Sequence, residues 1–214
     1  MFKNLFSDYK KLSIFLVVVA VVVVVGVVLV LSLINGPVGK KNFESEYEKL
    51  NNVATEDGKK YPRVSIGKNN KMKHVTYEEV FDVFDNNKDA VIYFGYAKCL
   101  YCRTAVQVLI DTAKDTDLEE IYYLDIETKD NNYEKLLTTL GDNFINTENG
   151  GRELYSPLVI FVTNGRIVSY NKGTLFSQSS PYDELDSSQI KGLSEIYRYG
   201  INDVLTSIEE KKNK

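Results

Sequence analysis

Between Ala90 and Phe94 the chain runs through Ala-Val-Ile-Tyr-Phe without a polar break, and shortly afterwards it presents Cys99-Leu100-Tyr101-Cys102, which holds its only 2 cysteines. An apolar run this short and unbroken fits a central strand, apolar throughout as buried strands are. Ala105, Val106, Leu109, Ile110 and Ala113 follow at helical spacing. A strand that delivers a C-x-x-C to the first turn of a helix sets the leading sulfur against unpaired backbone N–H groups and the positive end of the helix dipole. Both favour the thiolate. Cys102, one turn in, is close enough to attack a mixed disulfide and release its partner. Cys99 is therefore the candidate nucleophile and Cys102 the resolving thiol.

Two other readings of the pair stay open: a disulfide or thiol pair without a catalytic role, and half of a metal site. Zinc wants four ligands. Beyond the two thiols the chain offers a single histidine, His74, far upstream on a different element. A four-thiolate site would need a second copy of the chain. No metal and no cofactor is expected, and His74 reads as a surface strand residue. With both cysteines in one motif, no disulfide framework holds the fold together, and the domain must depend on its core.

A second feature stands upstream. From Leu12 to Ile34 the sequence reads LSIFLVVVAVVVVVGVVLVLSLI, with no charge anywhere in it. That is long enough to cross a hydrocarbon core with some tilt, and too long for a signal-peptide core. It is read as an uncleaved anchor. Lys3, Lys10 and Lys11 on the short side nearly balance Lys40, Lys41 and Lys49 on the long side. The expectation is a cytoplasmic N-terminus and an extracytoplasmic C-terminal domain, because large domains translocate largely regardless of charge. The net charge of −4 gives neither a strong basic patch nor an acidic tail, so no nucleic-acid partner is expected.

Gly36-Pro37 ends the apolar run and opens a polar stretch reaching to about Asn70, in which Phe43, Tyr47 and Leu50 are spaced like a short amphipathic helix. The expected organisation is a tail at 1–11, an anchor at 12–34, a polar tether with a loosely attached first element at 35–72, and a domain at 73–210. Within the domain, Lys73-His74-Val75 is extended, and Thr76-x-x-Glu79 opens a helix with a capping box. Strands follow at Ala90–Phe94 and Ile121–Ile126, and a helix carries Tyr133, Leu136, Leu137 and Leu140. Leu158–Val162 and Ile167–Tyr170 flank Asn164-Gly165, the strongest short hairpin signal. A last helix places Ile190, Leu193, Tyr197, Ile201, Val204 and Ile208 on one face.

An apolar strand running into C-x-x-C, a later Ser156-Pro157 opening a strand, an Asn-Gly hairpin and a closing helix together resemble the thioredoxin fold over about Lys73 to Ile208. The resemblance implies an α/β domain with a central mixed sheet flanked by helices. It also implies a cis bond before Pro157, facing Cys99 and Cys102, with Ser156 offering its backbone to a substrate chain. The anchor and compact domain resemble extracytoplasmic thioredoxin-like proteins of Gram-positive bacteria, including bacteriocin transport accessory proteins. The chain also departs from the family. It has no tryptophan, and Leu100-Tyr101 stands between the cysteines. Tyr93 occupies the place of a buried aspartate, and Tyr123 that of its lysine partner. The segment from Asp125 to Pro157 is longer than the family minimum, which reads as an extended helix plus the Asn149-Gly150-Gly151 turn.

Lys98 and Arg103 bracket the cysteines as candidate pKa-tuning cations, or as ordinary solvated residues. Tyr101 and Tyr155, with Ser156 and Pro157, are the candidate substrate contacts. The expected activity is a membrane-tethered thiol–disulfide oxidoreductase acting on protein thiols and disulfides of exported or membrane proteins, with its direction open. The alternative is a redox-inert thioredoxin-fold accessory or binding subunit of a membrane export machine.

Overall fold

A computed structural model describes residues 42–147, 150–175 and 177–213. The expected tail and anchor lie outside the described residues, and among those described no helix is long and apolar enough to cross a membrane.

The elements are α1 (Phe43–Glu48), β1 (Met72–His74), α2 (Tyr77–Asp85), β2 (Ala90–Gly95), α3 (Leu100–Lys114), β3 (Ile121–Asp125), α4 (Tyr133–Leu140), β4 (Ile145–Asn146), β5 (Glu153–Leu154), β6 (Leu158–Thr163), β7 (Arg166–Lys172) and α5 (Ser187–Lys212). The main sheet has the order β1-β3-β2-β6-β7. The first three of these strands run parallel, β6 returns antiparallel to β2, and β7 antiparallel to β6. Every residue of β2 is buried, as its unbroken apolar run requires. Its side chains alternate between two cores. Val91 and Tyr93 join α1, α3 and α5 on one face, whereas Ala90, Ile92 and Phe94 join α2 and α4 on the other.

Local signals set the ends of these elements. Thr76 and Glu79 form the expected capping box at α2. Asn164 and Gly165 both take positive φ (50° and 69°), the requirement of a two-residue hairpin turn whose twist matches its strands. In α5, Leu193, Tyr197, Ile201 and Val204 are fully buried, while Ile190, expected on the same face, is left 45% exposed. Ile208 packs at the margin of that core.

Two expectations need correction. The polar stretch at 42–72 is part of the folded body, not a tether. Phe43, Tyr47, Val64 and Ile66 are buried in the same core as Val91 and Tyr93, since their apolar side chains complete a face that α3 and α5 leave uncovered. The long segment before Pro157 is not an extended helix. Gly141, at φ +91°, stops α4 after 8 residues, and the excess forms a small antiparallel ladder, Ile145 opposite Leu154 and Asn146 opposite Glu153. Asn149 lies outside the described residues.

Candidate redox site

The carboxyl end of β2 aims at the amino end of α3, and Cys99 is the residue that caps the helix. Its sulfur accepts a hydrogen bond from the Cys102 backbone N–H at 3.1 Å. One of the helix's unpaired donors is thus spent on sulfur, the arrangement that favours a thiolate once Cys99 is reduced. Cys99 and Cys102 are joined in a disulfide, with their Cα atoms 5.1 Å apart. Cys99 keeps 9% of its surface and Cys102 none, so an incoming thiolate meets Cys99 first.

Ser156 and Pro157 arrive from the far side of the sheet, where the chain enters β6, with a cis bond between them. The Ser156 hydroxyl lies 3.1 Å from Cys102 Sγ and 3.6 Å from Cys99 Sγ, and its carbonyl oxygen is 3.8 Å from Cys99 Sγ. A buried thiolate at Cys102 would otherwise lack solvent, and this O–H is a donor at its door. The other expected residues are less closely gathered. Tyr101 lies in the first turn of α3 and is 36% exposed. Tyr155 is half-buried, with the Lys172 ammonium 4.7 Å from its ring centre. Lys98 is exposed and bonds Glu127 at 2.7 Å, which raises its pKa and turns its charge toward that carboxylate.

Arg103 behaves differently from a surface cation. It is fully buried. Its guanidinium donates to the carbonyls of Pro62, Tyr47 and Ala97 and to Asn51 Oδ1, at 2.6 to 3.1 Å. Burial lowers its pKa, and its bonds clamp the 42–66 segment onto α3 and onto the turn before Cys99.

Sequence reasoning found Tyr93 and Tyr123 at the places of the resembled family's acid–base pair but missed their partners Tyr47 and Glu46. Tyr93 and Tyr123 sit opposite each other in β2 and β3, rings stacked at 5.5 Å. Tyr93 Oη bonds Tyr47 Oη at 2.9 Å inside the core, and Tyr123 donates to Glu46 Oε1 at 3.1 Å. Burial, with the neighbouring charges, pushes the Tyr47, Tyr93 and Tyr123 phenols far above the ordinary tyrosine range, so all three stay neutral. Gly95 makes room for this. A Cβ there would collide with the Tyr93 hydroxyl and stand 3.0 Å from Cys102 Sγ. The signal available in sequence was Tyr93-Phe94-Gly95, a glycine two residues beyond a core tyrosine and so on the same face of the strand.

This strand order, the cis-proline and the facing C-x-x-C define a thioredoxin-like domain with a dithiol–disulfide centre. No protein-family model and no curated protein matches the chain. Similar solved structures include thioredoxin O2 of Arabidopsis thaliana in the oxidized state, 17% identical with a TM-score of 0.36, covering 59% of this chain and 93% of that one. Thioredoxin O1 of the same plant, also oxidized, is 22% identical with a TM-score of 0.37, covering 60% of this chain and 99% of that one.

Proposed function

We propose that the chain is a membrane-tethered thiol–disulfide oxidoreductase whose domain lies outside the cytoplasmic membrane and exchanges disulfides with exported or membrane proteins. The observation that carries the redox part is the pairing of Cys99 and Cys102 at the head of α3, with the Ser156 hydroxyl within 3.6 Å of both sulfurs. The charge-free run at 12–34 is what supports the tether.

In the reducing direction the Cys99 thiolate attacks one sulfur of a client disulfide. A Cys99–client disulfide forms and the other client sulfur leaves as thiolate. Cys102, as thiolate, then attacks Cys99 Sγ and expels the first client sulfur. Two electrons pass from the dithiol to the client, and the Cys99–Cys102 disulfide closes. Oxidation of a client is the same sequence reversed, and the poise of the compartment against the centre's potential sets the direction.

A second reading is a redox-inert accessory subunit of an export machine. Uncharged Tyr93 and Tyr123, at the positions where the resembled family carries an acid–base pair, favour it. Insulin reduction by the purified chain separates the two: wild type active and Cys99→Ser inactive is the expected result, with Cys102→Ser accumulating mixed disulfides. A wild type without dithiol activity, or full cellular function of Cys99→Ser, overturns the enzyme reading. Protease treatment of intact cells should remove the domain, and its survival overturns the outward topology.

A further inference from the structure

Two pieces of chain, one rooted at the cis-proline and the other at the head of α3, are joined at their tips. The first is the connection from β7 to α5. It leaves beside Pro157, whose carbonyl accepts from the Gly173 N–H at 2.7 Å, and its Leu175 and Leu185 pack against the core that contains both cysteines. The buried Gln178 side chain braces it from within, accepting from the Thr174 hydroxyl at 2.5 Å and donating to the Asp183 carbonyl at 3.0 Å. The second is a small hairpin from Val53 to Tyr61, closed by the bridge between Ala54 and Lys60 and by the Thr55 N–H on the Lys59 carbonyl at 2.6 Å. Arg103, the residue after Cys102, fixes the base of this hairpin to α3 by donating to the Pro62 carbonyl on one side and to Asn51 Oδ1 on the other.

The tips meet through one residue. Tyr182 donates from its hydroxyl to Asp57 Oδ2 at 2.7 Å, across 125 residues of sequence, and the Lys59 ammonium lies 4.4 Å from the centre of the Tyr182 ring. Contacts then run in a closed circuit. From Cys99 they pass to Ser156, through Pro157 to Gly173, out to Tyr182, across to Asp57, back to Pro62 and through Arg103 to the residue beside it, Cys102. Loop tips left to themselves open at little cost and yield to an incoming surface. Two tips tied together resist. Cys99, a member of this circuit, offers only 9% of its surface.

Resting on the oxidoreductase reading, we infer that the Tyr182–Asp57 contact determines client specificity: it holds the two loops as a fixed rim beside Cys99, so that the centre takes disulfides carried on extended or unfolded segments and turns away those held in a folded body. An extended segment needs a slot only about 5 Å wide, the spacing of neighbouring strands, whereas a folded domain approaches with a surface several times broader. The rim acts on approach and leaves the exchange between sulfurs as it is. Loss of the contact therefore raises the fraction of molecules with an open rim, and with it the rate for bulky clients alone.

The test uses the full chain and two probes. Glutathione disulfide is the small one, read as closure of the Cys99–Cys102 disulfide in the reduced chain; intact insulin, with dithiothreitol supplying electrons, is the folded one. Tyr182→Phe and Asp57→Ala should each raise kcat/KM on insulin about two- to fivefold, the scale of a contact between exposed groups. Tyr182→Ala should raise it further, because the Lys59 contact goes with the ring. All three should react with glutathione disulfide at the wild-type rate. Asp57→Asn, which keeps an oxygen to accept from Tyr182, should behave as wild type on both probes. An insulin rate unchanged or lowered in Tyr182→Ala overturns the rim, as does insulin left untouched by wild type and Tyr182→Ala alike. An equal change on both probes marks an effect on the sulfurs themselves and also overturns it. A wild type whose dithiol does not close with glutathione disulfide overturns the oxidoreductase reading instead.

Discussion

Ser156 is the residue on which the chemistry of the two sulfurs converges. When a client thiolate opens the disulfide at Cys99, the departing group is Cys102, which is wholly buried, and the Ser156 O–H at 3.1 Å is its nearest side-chain donor. A hydrogen bond to a charged group contributes about 1.5–3 kcal/mol where water is excluded. Ser156→Ala should therefore slow opening of the disulfide by dithiothreitol by about tenfold or more, and shift the redox equilibrium toward the disulfide, since the reduced form loses the donor. Unchanged rate and equilibrium would show the contact to be incidental. The resemblance had assigned Ser156 a backbone role, and only the three-dimensional placement shows its side chain reaching both sulfurs. Arg103 teaches the converse. Adjacent to Cys102, it reads in sequence as a tuning cation, yet its bonds go to three carbonyls and an amide that lie as far away in the chain as Tyr47 and Pro62. No local pattern announces partners separated by 41 and 56 residues.

At the scale of elements, α5 shows how closely the layers approach. Gly200 faces the Phe161 ring on β6 so tightly that a Cβ would overlap it. Gly200→Ala should push the helix off the sheet and cost about 1–3 kcal/mol, the range for overpacking a filled core, less the few tenths to about 1 kcal/mol that alanine returns in helix propensity. Urea denaturation would read this, and an unchanged midpoint would mean that Phe161 swings aside freely. The apolar run of β2, the capping box of α2, the Asn164-Gly165 turn and the periodic face of α5 all declare themselves in sequence, because each is specified by residues within one turn or one strand. What stayed hidden depends on distant partners. The stretch 42–66 is polar on average, and beyond the short helix signalled by Phe43 and Tyr47 its buried residues Pro62, Val64 and Ile66 are too few to mark it as part of the core. They join it only because α3 and α5 leave room over Tyr93 and Tyr123. The ladder of β4 and β5 has 2 residues a side, too few for any alternation to be legible.

For the molecule as a whole, the tyrosines beneath the disulfide turn a local arrangement into a global pH dependence. Tyr47, Tyr93, Tyr123 and Tyr197 all have pKa values raised mainly by burial. In the unfolded chain they would ionise near the ordinary value of about 10. Below that pH both states keep these protons and the contribution to stability is complete. Above it the unfolded chain loses protons that the native one retains, and stability falls with rising pH. Each such group removes about 1.4 kcal/mol per pH unit, so the four together remove about 5–6 kcal/mol per unit. Against a total of about 5–15 kcal/mol for an ordinary domain, this predicts cooperative unfolding within about one to three pH units above 10. The tyrosinate absorbance of these four at about 295 nm should then appear together with the loss of near-ultraviolet circular dichroism. A single rise near pH 10 with the dichroism intact would mean that the four phenols reach solvent in the native protein.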